Sequence, residues 1–258
     1  MGTKIWRYMD MTKFISLLVN EALYFTCLSD FDDPFEGHFP NSHFAEMCDD
    51  IFRTLEKRLA NAEKKLELEQ LAIELARIKV DLPKIALETI ESNALRVGVN
   101  CWHRSEHESD AMWKLYSSSN QCIAIESSIL RLKASITDPT LREQVSIGIV
   151  RYLDFENATL QEGFKHSGLF TKRKAFEHEK ELRAVILDLP ETGKGALIKC
   201  CLDTLIENIY LSPVAESFIK HDIEALLEKL NIKKNVLRSK LLDPPRYDKQ
   251  VATWVSRI

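Results

Sequence analysis

Short apolar runs and longer amphipathic stretches follow one another from the start of the chain. The run KIWRYM predicts a strand. The next segment, MTKFISLLVNEA, has Phe14, Leu17, Leu18 and Ala22 at helical spacing, and LYFT then predicts a second strand. The chain therefore opens as strand, helix, strand.

A long charged stretch follows, in which Leu, Ile and Ala recur every three or four residues between Glu and Lys. This spacing predicts amphipathic helices over residues 45–95. We expect Pro83 to break them, because proline lacks an N–H and its ring clashes with the preceding turn. The apolar positions do not form a clean heptad, which favours an inserted cap, although the same helices could form a homodimer.

The rest of the chain mixes both patterns without regular alternation. Ser105 followed by Glu108 is a capping signature, so we expect a helix to begin there. The segment AESFIKHDIEALLEKLN predicts another helix. Strands are predicted at RVGVNCWH, QCIAIESS, SIGIVRYLDF, ELRAVILDL, GALIKCCLD, IENIYLSP and NVLRSKLL. This order predicts a single α+β domain over residues 1–258, with a mixed or antiparallel sheet core, flanking helices and a helical insertion at 45–95.

Composition narrows the class of protein. The 258 residues are 45% hydrophobic and 29% charged, with a net charge of -4. A negative net charge disfavours a nonspecific coat on duplex DNA. We find no apolar run long enough for a membrane span and no signal-peptide pattern. The six cysteines form no C-x-x-C pair, which indicates buried, reduced thiols in a cytoplasmic protein.

An acidic loop, FDDPFEG at residues 31–37, follows the second predicted strand. Its Asp, Pro and Gly are good turn formers, while the spacing of a calcium loop is absent. Loops at strand ends often carry function. We therefore expect this loop to be both a turn and the rim of a pocket whose other wall is HEKELR, residues 178–183. Its candidate pocket residues are Asp32, Asp33, Phe35 and Glu36.

The segment CWHRSEHESDAMWKLY is a second candidate. His103 and His107 are four residues apart, but the segment crosses a predicted strand-to-helix boundary, so we assign no metal site to it. Its aromatic and imidazole side chains suit a pocket wall. The candidates are Trp102, His103, Trp113 and Tyr116.

The third candidate, LFTKRKAFEHEKELR, joins a basic cluster to a run of acids. A strand that begins near residue 180 would place Glu181 and Arg183 on one face, with Glu179 at its entrance. Acids beside cations and an aromatic ring suit an anionic or sugar-bearing ligand. The segment contributes Lys172, Lys174, Phe176, His178, Glu179, Glu181 and Arg183. The phosphate-loop, dinucleotide and hydrolase-elbow motifs do not occur in the chain.

Together these motifs resemble one bacterial family, the domain-of-unknown-function family twenty-nine seventy-one. The resemblance is carried by WRY, LYF…FDDPFEG, CWH…E…AMWKLYS, KRKAFEHEKELR and IYLSP…VLRSKL, and it runs from about Ile5 to about Leu242. It implies a bacterial cytoplasmic protein linked to phage defence or to a mobile element.

The order of elements is also similar to that of the ADP-ribosyltransferase superfamily. That likeness implies NAD as the ligand and a protein or nucleic acid as the acceptor. It places Arg7 on the first strand, Tyr24 or Thr26 on the second, and Glu179 or Glu181 at the start of a late strand. A carboxylate there would stabilise the cationic sugar formed when the bond from nicotinamide to ribose breaks.

Two other functions fit the same residues. In a metal-dependent nuclease or phosphohydrolase, Asp32, Asp33 and Glu36 would bind magnesium, Glu179 and Glu181 would form a second arm, and residues 172–174 would contact phosphate. In a non-enzymatic module, the aromatic residues would line a pocket for a nucleotide or another small molecule, and the 45–95 helices would bind a partner.

Overall fold

The structure is a computed structural model that describes residues 3–61, 65–116, 121–158 and 167–245. Within these ranges the strands are β1 (Lys4–Asp10), β2 (Ala22–Cys27), β3 (Gly98–Arg104), β4 (Cys122–Ser128), β5 (Ser146–Ile149), β6 (Arg151–Leu153), β7 (Thr171–Arg173), β8 (Glu181–Ile186), β9 (Ala196–Lys199), β10 (Asn208–Leu211) and β11 (Asn235–Arg238). The helices are α1 (Met11–Asn20), α2 (Asn41–Ala60), α3 (Lys65–Ala94), α4 (Asp110–Tyr116), α5 (Ile129–Ser135), α6 (Pro139–Gln144), α7 (Leu202–Leu205) and α8 (Ser217–Lys229).

One large sheet joins most of the described strands. Along it the order is β11-β10-β4-β1-β3-β2-β9, and β8 pairs with β3 while β5 pairs with β8. Strands β10 and β11 are parallel, and the other pairings in this sheet are antiparallel. The prediction of an α+β fold with a mixed sheet is confirmed.

Strand β3 lies at a fork in this sheet. On one edge it pairs with β8 along its whole length, from Gly98 opposite Ile186 to His103 opposite Glu181. On its other edge it pairs with β1 at residues 103–104 and with β2 at residues 98–99. Residues 100–102 lie between these two paired stretches, so β1 and β2 diverge there and open a gap in the sheet.

Apolar side chains cover both faces of the sheet. On one face, Phe14 and Leu18 of α1 and Ile223 of α8 join the buried aliphatic residues of the strands in the largest core cluster. A smaller cluster packs Met112 and Trp113 of α4 against aromatic residues of β1. The two clusters hold the strands around the fork in place, because close-packed interiors resist displacement.

The helical insertion lies between β2 and β3, where the sequence predicts it. Helices α2 and α3 fill this stretch, but α3 is continuous from Lys65 to Ala94. The predicted break at Pro83 is therefore wrong. A proline costs about 3 kcal/mol within a helix, and the many Ala, Leu, Glu and Lys residues on either side favour the helix strongly enough to outweigh it. Within the described residues, no helix is both long enough and apolar enough to cross a bilayer.

Two other boundaries differ from the prediction. Helix α4 begins at Asp110 rather than at Ser105, because the Ser105 hydroxyl accepts from the amide of His107 and forms a turn. Ser109 caps the helix instead, accepting from the amide of Met112 at 3.4 Å. The segment SIGIVRYLDF, predicted as one strand, is divided into β5 in the large sheet and β6, which pairs with β7. The boundary between them falls at Val150, whose side chain is buried.

Candidate active site

A cavity of about 650 Å³ opens at the fork between β1 and β2. Nine of the candidate residues from the sequence line it. These are Arg7, Tyr24, Thr26, Trp102, His103, Tyr116, Lys172, Glu179 and Glu181. Its size is that of a ligand pocket, and the aromatic rings in its wall suit flat, partly apolar groups.

At the β1 end of the cavity, Arg7 carries a partly buried guanidinium with few partners. Its Nη2 lies 3.5 Å from the carbonyl oxygen of Tyr24, and its Cζ lies 6.0 Å from the ring centroid of Trp102. Among the described residues, Nη1 is a buried atom without a hydrogen-bond partner, and no carboxylate is within 4.0 Å of the guanidinium. Burial lowers the pKa of Arg7. A partly buried cation without a carboxylate partner favours binding of an anion from solution.

At the β8 end, Glu181 is held by two cations. Arg183 Nε and Nη2 donate to its two carboxylate oxygens at 3.0 and 3.1 Å, and Lys172 Nζ lies 3.6 Å away. Burial alone would raise the pKa of Glu181, but the charge and hydrogen bonds of Arg183, together with Lys172, hold it below its ordinary value. Glu181 is therefore ionised at neutral pH and lies in the cavity wall.

Glu179 reaches the same end from a short 3-10 helix, Lys174–Glu179, that precedes β8. Lys180 then adopts the left-handed conformation (φ 43°), which turns the chain into the strand. Glu179 Oε2 accepts from Lys172 Nζ at 2.7 Å, and its backbone oxygen contacts His103 Nδ1 at 2.6 Å. The hydroxyl of Tyr152 accepts from the Glu181 amide at 2.7 Å, so both acids are anchored through their backbone.

The acidic loop lies behind these carboxylates. Glu36 contacts Arg183 and Lys172, while Asp33 accepts from Arg173 Nη2 at 2.8 Å. The predicted meeting of this loop with HEKELR is thus observed. Phe31 of the loop lines the cavity, but the four predicted pocket residues, Asp32, Asp33, Phe35 and Glu36, do not. For the two buried acids the reason is electrostatic: Glu36 supplies a counter-charge for the buried Arg183 and Lys172, and Asp33 pairs with the partly exposed Arg173.

Five more candidates from the sequence lie outside the cavity wall. Trp113 is buried, with its ring edge-on to Tyr8 at 5.0 Å. Arg183 is buried behind Glu181. The ring of Phe176 lies against Lys172 and Arg173, and the ring of Phe35 lies against Arg173. Lys174 and His178 are exposed, as is Asp32 on the acidic loop.

Several lining or supporting residues were missed by the sequence analysis. Cys101 lines the same cavity as Arg7 and Glu181. Burial, together with the nearby charge of Glu181, raises the pKa of its thiol well above the ordinary value, so the thiol is protonated at neutral pH. Strand alternation could have found it, because Cys101 and His103 are two residues apart. Asn100, which donates to the Tyr24 carbonyl oxygen at 2.8 Å, gives no comparable signal in the sequence.

The carboxylates near the cavity are matched to cations of the protein. Glu36 and Glu181 contact Arg183 and Lys172, and Asp33 contacts Arg173. Across the part of the chain that the structure describes, no group of three or more His, Cys, Asp or Glu side chains is arranged to hold a metal ion. Of the acids named for the magnesium alternative, Asp33, Glu36, Glu179 and Glu181 are thus already engaged in ion pairs, while Asp32 is exposed on the acidic loop.

We compared the chain with protein family models, with curated proteins and with solved structures, and found no match in any of the three. The assignment of a function therefore depends on the geometry of the site.

Proposed function

We propose that this protein cleaves the bond from nicotinamide to ribose in NAD and transfers ADP-ribose to water or to an acceptor. One observation carries the proposal. A single cavity presents a partly buried cation, Arg7, that has no carboxylate partner among the described residues, and at its other end an ionised carboxylate, Glu181.

Arg7 suits the pyrophosphate of NAD. A guanidinium offers several donors in a planar fork, and such forks bind phosphate oxygens with charge-assisted hydrogen bonds. Arg7 lines the cavity, and its Nη1 makes no hydrogen bond within the described part of the chain. Binding a phosphate at this guanidinium would supply a counter-charge.

The rings of NAD suit the walls of the cavity. Tyr24, Trp102 and Tyr116 lie in the wall, and a positively charged nicotinamide ring is attracted to aromatic faces. Burial raises the pKa of Tyr116 to about 12, so its hydroxyl stays protonated and can donate at neutral pH. Thr26 adds a second hydroxyl in the same wall.

Glu181 suits the reacting ribose. When the bond from C1′ to the nicotinamide nitrogen breaks, its electron pair leaves with nicotinamide and the ribose becomes cationic. A fixed, ionised carboxylate stabilises that charge, because its counter-cations already orient it before the reaction. Water or an acceptor hydroxyl then bonds to C1′ and loses its proton to a base. Glu179 lies beside Glu181 with one of its oxygens on Lys172, and we assign it to this second step.

The proposal also includes a biological context, an acceptor and an oligomeric state. Membership of the bacterial family named above would place this activity in phage defence or in a mobile element. The acceptor would be a protein or a nucleic acid, and a second copy of the chain could pair through the 45–95 helices.

The experiment follows nicotinamide released from NAD by the purified protein, with and without a metal chelator. We expect release that is insensitive to chelator and that falls at least about 100-fold in Glu181→Gln, the scale typical of losing one group that stabilises transition-state charge. Glu179→Gln should mainly lower transfer to the acceptor. Glu177→Gln, an exposed neighbour in the same 3-10 helix, is the matched control and should keep full activity.

Other outcomes lead to other functions. Release that disappears with chelator would favour the metal-dependent hydrolase. Binding of NAD by calorimetry without any release would favour the non-enzymatic module, and the absence of both would overturn the NAD proposal.

A further inference from the structure

Glu36 is a buried acid that contacts the cations of the site without facing the cavity. Its two carboxylate oxygens lie 2.9 and 2.8 Å from Arg183 Nη2, and Oε1 lies 3.2 Å from Lys172 Nζ. Its side chain is 2% exposed. It is absent from the cavity wall, which Lys172 and Glu181 line from the other side.

The same two cations hold the carboxylates that do face the cavity. Arg183 grips both oxygens of Glu181, and its remaining nitrogen, Nη1, donates to the Leu169 carbonyl oxygen at 3.0 Å. Lys172 donates to Glu179 at 2.7 Å. Each cation is therefore shared between Glu36 and a cavity carboxylate, so displacing Glu36 would change the geometry on both sides.

The charges of this cluster do not cancel. Glu36, Glu179 and Glu181 share Lys172 and Arg183, which leaves one excess negative charge. Burial, the largest effect on Glu36, raises its pKa despite Arg183 and Lys172, whereas the pKa of Glu181 is lowered. Glu36 therefore binds a proton more readily than Glu181 does.

We propose that Glu36 is a positioning residue, which fixes Arg183 and Lys172 and through them orients the carboxylates of Glu181 and Glu179 toward the cavity. Its kinetic consequence rests on the proposed NAD cleavage, but its geometric consequence does not. The acidic loop that carries Glu36 is in this way part of the site, although it is separated from Arg183 by 147 positions in the chain.

Glu36→Gln tests this positioning role in the full chain. Glutamine has nearly the same shape but only one acceptor oxygen, so its amide group would face the cations. We expect kcat for nicotinamide release to fall about tenfold or more, since misplaced catalytic groups lose rate steeply. The Kd for NAD should stay within about twofold, because Glu36 does not touch the cavity. Glu36→Asp, which keeps the charge, should recover part of the rate.

A second measurement does not depend on turnover. The side-chain Nε–H resonance of Arg183, assigned by its loss in Arg183→Lys, should shift or broaden in Glu36→Gln. It should not change in Glu126→Gln, which removes another buried carboxylate of the same sheet that pairs with Lys4 and lies outside the cavity. If wild-type protein releases no nicotinamide, the proposed function fails and this resonance alone decides the positioning role.

The remaining outcomes overturn the inference. An unchanged kcat per folded molecule together with an unmoved Arg183 resonance would mean that Glu36 only fills space. A raised Kd for NAD with unchanged kcat would mean that Glu36 contacts substrate. If Glu36→Gln does not fold, the same two readouts on Glu36→Asp decide, because its shortened side chain must still displace the Arg183 contact.

Discussion

The two ends of the cavity differ in whether their cations have carboxylate partners within the described part of the protein. At the β8 end, Arg183 and Lys172 are matched to carboxylates at distances between 2.7 and 3.6 Å. At the β1 end, Arg7 has a buried nitrogen without a hydrogen-bond partner in the described part of the chain. The protein therefore supplies the partners at one end by itself, and under the proposed function a ligand would supply them at the other.

This difference predicts that a substitution at the β8 end lowers the stability of the fold, whereas a substitution at the β1 end lowers the affinity for a ligand. A buried ion pair that loses one partner leaves an uncompensated charge, so damage to the β8 end should destabilise the fold. A partly buried cation that lacks a carboxylate partner contributes little to the stability of the unliganded protein, so its removal should weaken binding without weakening the fold. Substitution of one arginine at each end tests this contrast.

The largest effect is expected at the β8 end, for Arg183→Met. The change would leave Glu36 and Glu181 buried with Lys172 as their cation. We expect a loss of about 3–5 kcal/mol in the free energy of unfolding, the range found when one partner of a buried pair is removed. Urea denaturation measures it. Arg53→Met is the control, because Arg53 and its partner Asp50 are 70% and 65% exposed, and an exposed pair should cost no more than about 1 kcal/mol. Equal losses in the two variants would contradict the contrast.

At the β1 end, Arg7→Met should have the opposite profile. We expect the Kd for NAD to rise about 10- to 100-fold, because a charged hydrogen bond to the ligand is worth roughly 1.5–3 kcal/mol. The free energy of unfolding should stay the same or increase, because methionine carries no charge that must be desolvated without a counter-charge. Calorimetric titration and urea denaturation measure the two quantities.

The control at this end is Arg96→Met, an exposed arginine that pairs with Asp188 away from this cavity. It should alter neither quantity. A drop in stability for Arg7→Met would show that Arg7 supports the fold, and it would remove the main argument for an anion site.

The elements around the site were largely predictable from local pattern. Apolar runs such as KIWRYM and ELRAVILDL gave the strands β1 and β8, and the order of motifs brought Arg7, Tyr24 and Glu181 into one hypothesis. A short apolar run predicts a buried strand without knowledge of the rest of the fold, which is why the prediction succeeded for these two strands. The prediction of a break at Pro83 was wrong, because the helix-forming residues on both sides of the proline outweigh its cost within a long helix.

Which of the three acids faces the cavity was not predictable from the sequence. The sequence shows Glu36, Glu179 and Glu181 as equivalent carboxylates, and only pairing across the sheet places Glu36 behind Arg183 and Glu181 in front of it. The state of Arg7 is likewise a property of the fork in β3, since no local pattern shows whether a cation will meet an anion in the fold.

The smallest expected effect concerns Tyr24, which lies on the β2 side of the same cavity. A Cβ added at Gly195 would overlap the phenol of Tyr24 and would lie 2.7 Å from the carbonyl oxygen of Phe25. Gly195→Ala should therefore push the Tyr24 ring from its place. We expect KM for NAD to rise about threefold to tenfold, with a loss of roughly 1–2 kcal/mol in stability from overpacking.

A double-mutant cycle decides whether Gly195 acts through Tyr24. In a Tyr24→Ala background the overlap with the ring is gone, so Gly195→Ala should change KM much less than it does in the wild-type protein. Additive effects would mean that the contact with the Phe25 carbonyl, and not the position of the ring, sets the change. A coupled effect would mean that the Tyr24 ring stacks on the substrate. Strand β2 would then contribute to ligand binding together with Arg7 of β1.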